Sequence, residues 1–346
     1  MTKAADRKDA HIALALDAAA QSGVDAGFGR VHLDHCALPE TNLAAIDINT
    51  MFLGKMVSAP VFIGAMTGGT KRADQINAAL AEIAHDQNIA LAVGSQRASL
   101  EGGRSQKNLR EIAPNIPLIG NLGGVQLARE GGLDLARRAV DDLHADALAI
   151  HLNPLQEAAQ LEGETNWVGV AGAIEAAVSQ LPCPVIVKEV GAGISPHIAN
   201  QLFDMGVHAI DVAGLGGTNW TRIETARRTG PDDDAARFAP FLDWGMTSVD
   251  CLINIMNARP DAYLIASGGV QNGLDVAKSL WLGASMASMA GAVLRALVGP
   301  DNGDINRQNA LGEIARWRDQ IALSLFLTGA SSLEDFKMVP GHVTPL

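Results

Sequence analysis

From residue 60 onward one unit repeats. Short apolar, β-rich runs at 61–65, 89–93, 117–121, 147–151, 185–189, 209–213, 263–267 and 285–290 alternate with other segments. Most of those segments have helical apolar spacing, clearest at 75–87, 133–143, 198–205 and 274–282. A strand that leads into a helix before the next strand returns parallel to its predecessor. Parallel strands are covered on both faces and so are apolar almost without interruption. A closed barrel and an open doubly wound sheet both satisfy that rule. The count of eight, with glycine-rich turns after several strands, predicts a (β/α)8 TIM barrel. No strand-linked G-x-G-x-x-G with a suitably placed acidic residue supports a Rossmann site. Residues 1–59 precede the repeat as an N-terminal extension. Residues 60–346 make the barrel and, after Ala292, terminal helices with an apolar stripe of Trp317, Ile321, Leu325 and Phe326.

Composition agrees with that architecture. Hydrophobic residues are 48% of the 346-residue chain but aromatics only 4%, so small aliphatic side chains and glycine build the core. Lys and Arg number 26 against 38 Asp and Glu, a formal net charge of −12, which argues against a nucleic-acid surface. A small anionic ligand needs only a few placed cations. Cys36, Cys183 and Cys251 form no C-x-x-C pair and read as isolated thiols in a reducing compartment. No apolar run approaches membrane-spanning length, and Asp6, Asp9 and Asp17 interrupt the start. The expected location is cytoplasmic.

In a barrel of this kind the C-terminal strand ends share one mouth, where chemistry sits. The first three runs end in Met66-Thr67-Gly68-Gly69, Gly94-Ser95-Gln96-Arg97 and Gly120-Asn121-Leu122-Gly123. The fourth carries His151-Leu152-Asn153-Pro154-Leu155-Gln156-Glu157, the fifth Lys188-Glu189, and the sixth runs from Asp211 to Trp220. Ser267-Gly268-Gly269 and Ala290-Gly291 close the series. One glycine turn is weak as a signal; eight at the same end are strong jointly. Pro154 stops its strand, crowding an imidazole, two amides and a carboxylate into one loop that is costly without partners. Lys188 is expected to be buried and so needs an anionic or electron-rich neighbour. Amides after strands seven and eight often hold phosphate. The composite predicts a flat, phosphorylated cofactor across the mouth.

Three stretches are less decisive. Arg7, Lys8 and His11 share one face of a helix predicted to run to about Gln21, a pattern that on sequence alone reads first as a frayed, solvated terminus, with an anion clamp as the sharper alternative. The segment 28–34 reads as an exposed alternating strand despite His32 and His35. Between Gly214 and Trp244, the cluster Arg222, Glu224, Arg227, Arg228 and the acidic run 232–234 is too polar for core and predicts a mobile excursion over the mouth.

Taken as a set, Arg7-Lys8-x-x-His11, Met66-Thr67-Gly68-Gly69, Gly94-Ser95-Gln96-Arg97, the 151–157 loop, Lys188-Glu189-Val190-Gly191 and Gly216-Gly217-Thr218 resemble the type 2 isopentenyl-diphosphate isomerases. The match keeps the family's order and spacing to about Gly291. It implies an FMN-dependent barrel enzyme of isoprenoid biosynthesis that interconverts isopentenyl and dimethylallyl diphosphate. Mg2+, NADPH as reductant and a homotetramer or homo-octamer are implied with it. Carried over by position, the flavin meets Ala65, Met66, Thr67, Ser95, Asn121, Lys188 and Thr218, and its phosphate meets Gly268, Gly269, Ala290 and Gly291. The substrate diphosphate meets Arg7, Lys8, His11, Arg97 and His151, and Glu157 binds Mg2+. His151, Asn153 and Gln156 form the implied catalytic group, the last two also lining the substrate pocket. Asn219 departs from the family, which has serine there more often.

The chemistry fits these residue types. Moving a double bond by one carbon adds a proton at one end of an allyl unit and removes one at the other, and neither site exchanges readily in water. A reduced flavin held by the protein offers a proton donor and acceptor. Lys188 suits the N1/C2 carbonyl end of the reduced ring, and a single carboxylate suits Mg2+, which keeps several waters. Gln156 has no accessible pKa and positions, with proton shuttling at most. The rival reading is an FMN-dependent 2-hydroxy-acid oxidase or dehydrogenase on the same barrel. Such enzymes need a base and an arginine in a His-Gly-Gly-Arg element; here the run is Leu215-Gly216-Gly217-Thr218. A nucleotide dehydrogenase needs a loop cysteine, whereas Cys251 falls in a predicted helix at 249–257. A non-catalytic phosphate binder needs no joint presence of Lys188, Gln156 and Glu157.

Overall fold

Each apolar run supplies one strand: β1 (Val61–Ile63), β2 (Ala90–Ala92), β3 (Leu118–Gly123), β4 (Ala147–His151), β5 (Val185–Lys188), β6 (Ala209–Asp211), β7 (Leu264–Ala266) and β8 (Met286–Met289). The computed structural model describes residues 3–228, 234–300 and 302–345, with 3–9 as backbone alone. All neighbouring strands are parallel, and β8 closes on β1 with Ala287 opposite Val61 and Met289 opposite Ile63.

Alternate residues of a strand enter different cores. On β4, Ala147 and Ala149 join Phe62, Ile119, Ile186 and Ile265 in one cluster, while Leu148 and Ile150 pack with the surrounding helices in another. The narrow barrel interior explains the alanines, and a chain only 4% aromatic can fill it.

The expected helices form at Lys71–Gln87, Gly132–Leu143, Pro196–Asp204 and Gly273–Trp281. Three start at side-chain caps: Thr70, Ser195 and Asn272 accept from the backbone N–H three residues on. Of the expected stripe on Arg307–Leu327, Trp317, Ile321 and Leu325 are fully buried, against Lys71–Gln87 and Gly273–Trp281 among others, while Phe326 is half-buried.

The extension departs in detail from expectation. Its helix, Lys3–Leu16, stops short of Gln21 because Asp17 caps a separate turn, Ala18–Ala20. Of 28–34, only Val31–Leu33 is strand, antiparallel to Gly341–Val343, with Val31 buried and His32 exposed. An unanticipated hairpin joins Thr50–Phe52 to Lys55–Val57. Leu53 and Gly54 both have positive φ, 48° and 76°, as in a type I′ turn. The hairpin plugs the N-terminal end of the barrel. Phe52 stacks on Phe62 at 5.6 Å, and Lys55 pairs with Asp146, just before β4, at 2.7 Å. Among the described residues no helix is long and apolar enough to cross a membrane.

Candidate active site

At the opposite, C-terminal end lies a cavity of about 260 Å³ lined from all eight strand ends. It brings together Ala65, Met66 and Thr67 after β1, Ser95 and Arg97 after β2, and Asn121 of β3. His151, Asn153, Gln156 and Glu157 come from β4 and its loop, Lys188 from β5 and Thr218 from beyond β6. Gly268, Gly269, Ala290 and Gly291 complete the ring from β7 and β8. His11 lines the same cavity from the N-terminal helix and is 8% exposed, which rules out the solvated-terminus reading for this residue. The side chains of Arg7 and Lys8 lie outside the described residues.

The β4 loop is ordered by its own polar groups. Asn121 donates Nδ2 to Val93 O at 3.1 Å, so its Oδ1, 2.8 Å from His151 Nδ1, is the acceptor. The proton of the neutral imidazole is therefore assigned to Nδ1. Asn153 Nδ2 donates to Gln156 Oε1 at 3.1 Å and to Glu157 Oε1 at 3.3 Å. Glu157 Oε2 accepts the Glu164 N–H at 2.8 Å. With its oxygen so engaged, Gln156 turns Nε2 towards Glu224 Oε1, 3.4 Å away.

Sequence reasoning missed Glu224. The stretch expected as a polar excursion contains a helix, Trp220–Ala226, that buries Glu224 to 1% exposure. Its carboxylate lies 3.0 Å from His11 Nε2 and also pairs with Arg227. Burial pushes its pKa up, but the His11 hydrogen bond, that ring's charge and Arg227 outweigh it and hold the group below the usual glutamate range. His11 also meets Trp220 edge-on at 5.4 Å. Asn219 caps this helix through Arg222 N–H at 3.0 Å and donates Nδ2 to Leu242 O. A serine can cap, but its one hydroxyl cannot also reach Leu242 in this way, which gives the departure a structural role. The acidic run lies outside the described residues except Asp234, an exposed cap of the turn Ala235–Phe241.

Lys188 is half-buried rather than buried, its Nζ donating to Glu189 O. The carboxylate of Glu189 turns away from it to accept three backbone N–H groups, from Val190, Gly191 and Ala192 at 2.5–2.7 Å. Asp211 is the acidic neighbour of Lys188 on the cavity wall. Burial pushes its pKa up, against the pull of Lys188 and of the hydrogen bond from Ser267.

Between the β7 and β8 loops the cavity has a recess lined by Gly268, Gly269, Ala290 and Gly291. Gly268 (φ +86°) sits where an added Cβ would be 2.0 Å from Gly214 O, and Gly269 (φ +77°) where it would be 2.6 Å from Gly216. Only glycine satisfies both the left-handed backbone and that contact. The helix Gly291–Val298 begins at the same place, directing amide donors at one end of the cavity. These groups fit a flavin mononucleotide: a cation for the ring, amides for the phosphate, short side chains between.

Fold and site together define a flavin-dependent barrel, and residues 144–340 match the family described as FMN-dependent dehydrogenase. Within that class the chain belongs to the isopentenyl-diphosphate delta-isomerases. It is 45% identical over 338 residues to the one from Xanthobacter autotrophicus, covering 96% of both chains. The enzyme so named from Pseudescherichia vulneris is 44% identical over 96% of this chain and 94% of its own. A crystal structure of mandelate oxidase with benzoyl-formic acid shares the fold at a TM-score of 0.66, covering 99% of this chain and 98% of that one, at 17% identity.

Proposed function

We propose that the protein interconverts isopentenyl diphosphate and dimethylallyl diphosphate with reduced FMN, for isoprenoid biosynthesis. The observation that carries this is the convergence of His11, Arg97, His151, Gln156 and Glu157 on the same cavity as Lys188 and the glycine recess. Reduced flavin supplies a proton donor and acceptor beside the alkene. The chain's own residues orient the substrate. Arg97, His11 and His151, with Arg7 and Lys8 from the N-terminal segment, hold the diphosphate. Asn121 fixes the His151 ring through Nδ1, so that the ring, when protonated, donates from Nε2.

Gln156 and Asn153 place the alkene. Gln156 is held at both ends of its amide and shifts a proton only by relay, because an amide has no accessible pKa. Glu157 binds Mg2+. Among the described residues no group of three or more His, Cys, Asp or Glu is arranged for a metal, and Mg2+ takes one carboxylate with substrate phosphates and water. NADPH keeps the flavin reduced. We place the enzyme in the cytoplasm as a homotetramer or homo-octamer, with residues 1–59 completing the substrate site over the barrel of 60–346.

The test is isomerisation under anaerobic conditions with FMN, Mg2+ and a reductant. Product should form without net NADPH consumption. Stoichiometric use of an electron acceptor on a 2-hydroxy acid would support the oxidase reading instead, for which Leu215-Gly216-Gly217-Thr218 offers neither base nor arginine.

A further inference from the structure

One charge on the cavity wall has no part in that scheme. Arg295 stands on the helix Gly291–Val298 and folds back over its start, Nη1 lying 3.0 Å from where a Cβ on Gly291 would be. Nη2 donates to Gln271 Oε1 at 3.3 Å, on the loop that follows Gly268-Gly269. The arginine thus bridges the β7 and β8 loops across the recess. Among the described residues no carboxylate comes within 4.0 Å of it. Glu313, the acidic residue whose field it feels, gives its oxygens to Arg316 and to Trp317 Nε1.

This is an unfavourable place for a cation on its own. A helix start is electropositive, and a guanidinium laid over it is repelled. Partial burial also strips water, and it pulls the arginine's pKa down. The glycines of the recess add further amide donors. An anion seated among these groups is attracted to all of them and offsets both the repulsion and the lost hydration.

We propose that Arg295 binds the phosphate of FMN and is the side chain through which the protein prefers FMN to riboflavin. Gln271 holds the guanidinium in position. The inference rests on the flavin reading above and adds to it a residue and a selectivity. Planar guanidinium donors match phosphate oxygens in a way that a lone ammonium does not.

The test titrates the flavin-stripped full chain with FMN and with riboflavin, following the quenching of flavin fluorescence. Arg295→Ala should weaken FMN by about tenfold or more and leave riboflavin affinity unchanged. Arg295→Lys should recover part of the loss. Equal weakening of both flavins, or no change in either, would overturn the proposal. So would a loss of isopentenyl diphosphate affinity in the reconstituted variant with FMN binding intact, because the arginine would then serve the substrate. Wild-type protein that binds neither flavin would overturn the cofactor reading itself.

Discussion

Glu224, a carboxylate with no exposed side-chain surface, ties together the N-terminal helix, the β4 loop and the helix after β6. Its removal leaves Arg227 and His11 beside an uncharged amide in a buried setting, so Glu224→Gln should cost about 3 kcal/mol at neutral pH, read by urea unfolding. The pH dependence has a definite sign. The folded pKa lies below the ordinary 4.5, so this stabilisation is complete above 4.5 and fades as pH falls through the lowered value. Glu224→Gln should therefore lack that part of the acid-side loss; an identical slope from pH 6 to 3 would count against the pairing. Gln156 makes a cleaner catalytic test, because its amide touches Asn153 and Glu224 but none of the recess glycines. Gln156→Ala should lower turnover on the order of 10²-fold while the flavin content per chain stays the same. Normal turnover would place this amide outside the chemistry.

At the scale of elements, the clearest prediction concerns Asn219. Asn219→Ala loses both the cap and the link to Leu242 and should cost about 1 kcal/mol, with faster amide exchange over 220–226. Asn219→Ser should regain the cap alone and fall between; wild-type exchange in both variants would refute the double role. The barrel strands were readable because each is an apolar run bounded by glycine or polar residues, a local pattern. What sets the burial of Glu224 is not local. Its partners His11 and Gln156 lie in distant segments, and nothing in a run of alternating charges announces them. The hairpin was hidden for another reason: Leu53 occupies a left-handed position that glycine or asparagine normally marks. The strand-end groups were legible as a set, but Arg295 was not, since a cation in a helix interior looks like any solvated side chain until the fold turns it back over Gly291.

For the whole molecule, the extension and the barrel line one cavity together. Ser22 N–H donates to Gly217 O at 2.7 Å, Asn219 N–H to Ala20 O at 2.8 Å, and Gln21 bridges Thr218. The extension is thereby stitched to the segment that carries Thr218. Deleting residues 1–16 keeps those links and should leave flavin binding intact. It should raise the Kd for isopentenyl diphosphate by about 10²-fold or more, through loss of Arg7, Lys8 and His11. Retained substrate affinity, measured calorimetrically, would remove the N-terminal helix from the substrate site.

The Phe52 hairpin has a consequence for traffic. With that ring wedged against Phe62 and Tyr263, the barrel is a blind well and not a tunnel. Whatever goes in deepest goes in first and comes out last. A cofactor seated beneath the substrate must then be loaded before it, and a well filled with substrate should hold its flavin against exchange.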